Sequence, residues 1–181
     1  MNYQGQPIES GLDVLLALLY SPGDSGHKTE PIKGITRLQK ILFLLWKEGK
    51  FFENVPNLYG FDAYDYGPCM DDLYDDLDFS AGINLIKIEE NPSGNEFEGG
   101  DEDAFLKDFG FTPTSSQTRR DFKLTEAGEE AGRDIFNALS KEEQQRLVRI
   151  KTRFNAMRFF DLLRYVYQKY PKFAERSVLS L

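Results

Sequence analysis

The sequence predicts a mainly α-helical domain with one small β-hairpin and extra helices at its C-terminal end. Three observations carry this. Apolar residues recur at helical spacing three times before residue 80. Two short strand signals follow, at Leu85–Ile88 and Phe122–Leu124. Three more helical stretches then fill the chain from Thr125 to Tyr170.

The first helix rests on Leu12, Leu15, Leu16 and Leu19, at i, i+3, i+4 and i+7, with Ser10 in the N-cap position. Pro22-Gly23 ends it, and residues 23–34 read as a loop. The second helix follows a capping-box pattern, Thr36-Arg37-Leu38-Gln39. Leu38, Ile41, Leu42 and Leu45 continue its stripe, and Phe43, Leu44 and Trp46 widen it, so this helix is expected to be the most buried. Gly49 is the expected stop. Residues 51–66 read as a loop with one extended piece, Phe61–Tyr66.

Gly67-Pro68 is expected to open the third helix, because proline suits the first turn. Met70, Leu73, Tyr74 and Leu77 form its inward stripe, and it is expected to end before Gly82. Helix Thr125–Leu139 follows the hairpin, with Thr125 as cap. Ser140-Lys141-Glu142-Glu143 is a second capping box, and Leu147, Ile150 and Phe154 mark the helix it starts. Asn155 separates that helix from a last one, about Met157–Tyr170, with Phe160, Leu163 and Tyr167 inward.

Three helices followed by a two-stranded wing is the layout of a winged helix. The whole chain, 1–181, then reads as a single domain. It has a winged-helix-like core over 10–128, a long acidic wing insertion over 89–121 and a C-terminal helical extension over 129–181. The first part of the insertion, Glu89–Asp103, is acidic and glycine-rich and is expected to be flexible. Phe105, Leu106, Phe109 and Phe111 are expected to dock its second part on the core.

Two stretches carry a family resemblance: Ile35-Thr36-Arg37-Leu38-Gln39-Lys40-Ile41-Leu42-Phe43-Leu44, and Tyr64-Asp65-Tyr66-Gly67-Pro68 running on to Leu73-Tyr74-Asp75-Asp76-Leu77. With Leu124-Thr125-Glu126-Ala127-Gly128 and the ending Leu163-Arg164-Tyr165-Val166-Tyr167 followed by Tyr170-Pro171, they resemble the YwgA-like winged-helix proteins of bacteria and archaea. A looser resemblance extends to the Panacea (SocA-like) antitoxin domain, which shares the LQK helix and the YGP turn. That side of the resemblance implies antitoxin or adaptor behaviour through protein contacts. The YwgA-like side of the resemblance carries over no activity.

Composition bounds the chemistry. Cys69 is the lone cysteine, so neither an internal disulfide nor a cysteine-built zinc site can form. Apolar runs are short, and Ile41–Trp46 has six residues. A membrane-spanning helix needs about 20. No basic start followed by an apolar block opens the chain, so the cytoplasm is the expected compartment.

His27 is the only histidine and sits in a polar loop, where it reads as incidental rather than as part of a nucleophilic site with Cys69. No phosphate-binding glycine motif occurs. The expectation is a protein without catalytic residues, metal or cofactor.

Charge is unevenly spread around a net of −8. Residues 62–108 hold fifteen acids against two bases, and residues 151–181 hold seven bases against two acids. Five aspartates, Asp71, Asp72, Asp75, Asp76 and Asp78, crowd the third helix. They read either as a solvated face, as a cation site without EF-hand spacing, or as a surface for a basic protein.

In a helix-turn-helix protein the third helix would enter the major groove. DNA carries a phosphate charge every ~1.7 Å of axis, so this helix would be repelled. A partner protein is therefore the first expectation, with Asp71, Asp72, Asp75, Asp76, Tyr64 and Tyr66 as its contacts. The alternative is a DNA-binding regulator. It would use Arg37 and Lys40 at a helix start, Arg119, Arg120 and Lys123 at the wing base, and the basic tail. Dimerisation through the last helix would pair two basic surfaces.

Overall fold

The computed structural model describes residues 8–51, 60–91, 119–179 and 181. Helix α1 (Gly11–Tyr20) begins with a complete capping box, in which Ser10 and Asp13 satisfy each other's end of the first turn. The leucine stripe implies one buried face, yet Val14 through Tyr20 are all buried and Leu12 is only half-buried. The strand Arg119–Leu124 (β5) and two C-terminal helices pack against α1, and together they leave Val14 through Tyr20 no solvent side.

Residues 23–34 are not all loop. Strand β1 (Ile32–Lys33) pairs antiparallel with β5, setting Ile32 opposite Phe122 and Lys33 opposite Asp121. Helix α2 (Ile35–Lys47) starts directly from it. The turn falls on Gly34, whose φ of 89° is strained for any side chain, and no side chain caps the helix. Thr36 therefore lies inside the first turn rather than at the N-cap, which corrects the capping-box expectation. Leu38 through Leu45 are all buried.

The segment expected to open the third helix is instead the second half of a hairpin. Strands β2 (Asp62–Tyr64) and β3 (Gly67–Cys69) pair with Tyr64 opposite Gly67. Gly67 takes a φ of 85° to close the turn, and the Lys40 ammonium holds the Pro68 carbonyl at 2.9 Å. Helix α3 (Asp72–Gly82) starts four residues after Pro68 and takes in Gly82. It ends in a Schellman arrangement: Asn84 has a φ of 58°, its N–H donates to Ala81, and the Leu85 N–H donates to Ser80.

Strands β4 (Ile86–Asn91) and β5 (Arg119–Leu124) form the expected antiparallel pair, in register from Ile86 opposite Leu124 to Asn91 opposite Arg119. The three-stranded sheet has the order β1-β5-β4. Both ends of the stretch read as insertion, 89–91 and 119–121, are thus paired strand, so the flexibility expected from Glu89 fails at Glu89–Asn91. The docking expected of Phe105, Leu106, Phe109 and Phe111 lies outside the described residues.

Thr125 caps α4 (Glu126–Ala138) by accepting from the Gly128 N–H, while its hydroxyl donates to Asn84 at 2.5 Å. A Cβ at Gly128 would stand 1.8 Å from the Leu85 carbonyl oxygen, so only glycine lets α4 come this close to the start of the sheet. Ser140 and Glu143 complete the second capping box, opening α5 (Lys141–Asn155). Helix α6 (Phe159–Lys169) and a 3-10 turn (Pro171–Phe173) close the order.

Leu147, Phe154, Leu163 and Val166 from these helices share one apolar cluster with α1, α2 and β5. The C-terminal helices are therefore part of the core. Among the described residues, no helix is long and apolar enough to cross a membrane.

Candidate interaction surface

Helix α3 turns Leu73, Leu77 and Ser80 inward. Asp71, Asp72, Asp75 and Asp78 are exposed, and Asp76 is half-buried. Asp72 and Asp75 lie in the first turn, where the helix dipole favours carboxylates. Tyr74 was expected in the inward stripe but sits on the flank, half-buried, with the Arg120 guanidinium 5.6 Å from its ring centre.

Two residues on the outer side of this helix carried no expectation from the sequence. Phe79 is 56% exposed and Ile83, at its C-cap, 49%. Asp72, Asp75, Phe79 and Ile83 follow at intervals of three, four and four, so they form one line along the helix. The signal was available: Phe79 lies two residues from the inward Leu77, which places it about 200° around the helix. The result is a face that offers both carboxylates and apolar surface, and a purely solvated face does not need the second.

Tyr64 and Tyr66 lie on the β2–β3 turn. Tyr64 is exposed, with the Arg176 guanidinium 5.8 Å from its ring centre, and Tyr66 is half-buried against the core. The C-terminal segment holds this turn. The Val178 N–H and the Ser177 hydroxyl both donate to the Asp65 carbonyl, at 2.9 and 3.1 Å. Ser177 Oγ also lies 2.8 Å from the Tyr167 hydroxyl. Of the two tyrosines, Tyr64 offers most of its ring to solvent.

The basic residues put forward for phosphate contact are mostly engaged inside the protein. Lys40 is 1% exposed and donates to Pro68, so it reaches no external phosphate. Arg37 donates through Nη1 to the carbonyls of Phe154, Asn155 and Met157 at 3.0, 3.3 and 2.6 Å, closing the C-terminal end of α5. Arg119 is buried and paired with Asp121 at 2.7 Å. These are corrections. A basic side chain near a helix start read as solvent-facing, and the fold uses it to satisfy orphaned carbonyls.

Lys123 keeps partial exposure and pairs with Glu89 at 2.6 Å, as Lys87 does at 2.8 Å. Hydrogen bonds from these two lysines hold the Glu89 carboxyl down to about 2.

The basic tail is divided in the same way. Lys151 is wholly buried and donates to the carbonyls of Leu19 and Ser21, at 3.0 and 2.6 Å, at the C-terminal end of α1. Burial pulls its ammonium down to about 7, against the opposing pull of Glu30. Lys169, Tyr165 and Tyr170 converge on the Glu48 carboxylate at 3.0, 2.8 and 3.2 Å. Arg158 and Arg164 pair with Asp161.

His27 is exposed in its loop. Cys69 is half-buried, and burial pushes its thiol up despite the Gln39 amide that donates to its sulfur. Among the described residues, no group of three or more His, Cys, Asp or Glu could hold a metal ion. No family model, no curated protein and no solved structure matches this chain.

Proposed function

We propose that this chain is a non-enzymatic interaction module, antitoxin-like or adaptor-like, that binds a partner protein through the outer face of α3. The observation that carries the reading is the line Asp72, Asp75, Phe79 and Ile83, exposed along one helix. Carboxylates steer a basic partner to the face, and the two apolar side chains gain by being covered once it arrives.

We read the core as winged-helix-like. The order α1, β1, α2, α3, β4, β5, with β1 added to the free edge of β5, supports this. The β2–β3 hairpin between α2 and α3 separates them more than a compact helix-turn-helix does. The resemblance of residues 35–44 and 64–77 to YwgA-like and Panacea domains supports an adaptor role over a catalytic one, in a cytoplasmic protein.

The competing reading, a DNA-binding regulator, is weakened by the engagement of Arg37, Lys40, Arg119 and Lys151 inside the fold.

One set of variants separates the two. Replacing Asp71, Asp72 and Asp75 with Asn keeps side-chain size and removes charge. The expected result is a partner association rate lower by about tenfold at low salt, with the difference fading as salt rises. On the DNA reading, the same variant would bind duplex DNA as tightly or more tightly. Full retention of the protein partner, together with specific duplex binding by the wild type at physiological salt, would overturn the proposal.

A further inference from the structure

The C-terminal end of α2 carries an aromatic corner at the edge of the core. Trp46 stacks on Phe61, with ring planes 10° apart and centres 5.4 Å apart. That covers one face of the indole. Phe173 stands nearly perpendicular to Trp46, at 87° with centres 6.2 Å apart, and Phe43 closes the base as a fully buried ring.

The Lys47 ammonium sits in this corner. It lies 3.3 Å from the Trp46 ring centre, 5.2 Å from Phe173 and 6.0 Å from Phe43. With Phe61 stacked on one side of the indole, a nitrogen this close has to take the other side. Among the described residues no carboxylate pairs with this ammonium, so the rings are its counter-charge. Burial pulls its proton affinity below the ordinary lysine value.

We propose that the corner of Trp46, Phe173 and Phe43 is a binding site for an alkylammonium cation, a quaternary or methylated amine, which Lys47 fills from within the chain. Perpendicular aromatic walls around a cation are the arrangement that recognises quaternary ammonium groups. Lys47 is a replaceable occupant. It is half-exposed on the last turn of α2, and a primary ammonium is strongly hydrated, so returning it to water costs little. A methylated cation is poorly hydrated and gains more from the ring faces. None of its residues belongs to the α3 face.

The test uses the full chain and the single tryptophan as probe. Tetramethylammonium chloride is titrated against sodium chloride at matched ionic strength. Trp46 fluorescence and the upfield shift of the ligand methyl protons are followed. Lys47→Gln is expected to bind at least about tenfold more tightly than wild type, because the competing ammonium is gone. Adding Phe173→Leu should weaken that binding by about tenfold.

Choline and a trimethyl-lysine peptide distinguish a free amine from a protein-borne one. Tighter binding of the peptide assigns the second source, and equal or tighter binding of choline assigns the first. Lys47→Ala replaces Lys47→Gln if the latter melts below wild type. A folded variant lacking Lys47 with no saturable response beyond that of sodium chloride overturns the proposal.

Discussion

Lys151 makes stability depend on pH in a direction opposite to that of most surface lysines. Its ammonium is wholly buried between α5 and the end of α1, held by the Leu19 and Ser21 carbonyls. Burial lowers its proton affinity to about 7, and Glu30 opposes this only in part. Between pH 7 and the ordinary lysine value of 10.5, the unfolded chain holds a proton here that the folded chain lacks. Stability therefore rises with pH across that window, and the gain is lost as pH falls through 7.

From pH 6 to pH 9 the effect amounts to about 2–3 kcal/mol, at 1.36 kcal/mol for each decade above the folded value. Lys151→Met removes the titrating group and strands two carbonyls, at about 1–3 kcal/mol each. Urea unfolding of wild type and variant at pH 6, 7.5 and 9 isolates the effect, because all other titrations cancel in the difference. Wild type should lead the variant by most at pH 9, and the lead should shrink by about 2–3 kcal/mol at pH 6. A lead that is flat with pH, or that grows towards acid, would refute the reasoning.

Two further predictions rest on single positions. Gly67→Ala meets both a φ of 85° and a Tyr167 ring carbon 2.6 Å from the new methyl group, so it should cost about 2–4 kcal/mol in urea unfolding and loosen the β2–β3 turn in amide exchange. Arg37→Met leaves the three carbonyls at the end of α5 without their donor. It should lower stability by about 2–4 kcal/mol, with Arg37→Lys restoring only part, since the lysine nitrogen stops one bond short of the Nη1 position that reaches all three carbonyls.

Local signals were legible where the chain's own neighbours decide the structure. Ser10, Thr125 and Ser140 cap the helices expected of them, because a cap needs only a hydroxyl or carboxylate within three residues. The pairing of Ile86 and Ile88 with Leu124 and Phe122 was legible from short β-prone segments. Long-range partners were not. Arg37 closes a helix end 117 to 120 residues away, and Lys151 closes one 130 to 132 residues away. No local pattern marks such pairs, so Arg37 and the basic tail that includes Lys151 read as candidates for phosphate contact.

Gly67-Pro68 read as a helix start because proline suits one. Pairing with Asp62–Tyr64 and the Lys40 hydrogen bond determine the outcome instead. The acidic face of α3 was visible in the aspartate spacing. Its apolar component, Phe79 and Ile83, lies off the inward stripe of Met70, Leu73, Tyr74 and Leu77 and was not read as part of the surface.

The α3 face can be tested directly by site-specific photo-crosslinking in cells. A photoreactive side chain at position 79 replaces an exposed apolar residue, and one at position 130 of α4 replaces the exposed Glu130 as control. The account predicts a discrete crosslinked protein from position 79 that is absent from position 130 and lost when Asp71, Asp72 and Asp75 become Asn. Equal crosslinking from both positions, or a product from position 79 that survives the triple substitution undiminished, would contradict it.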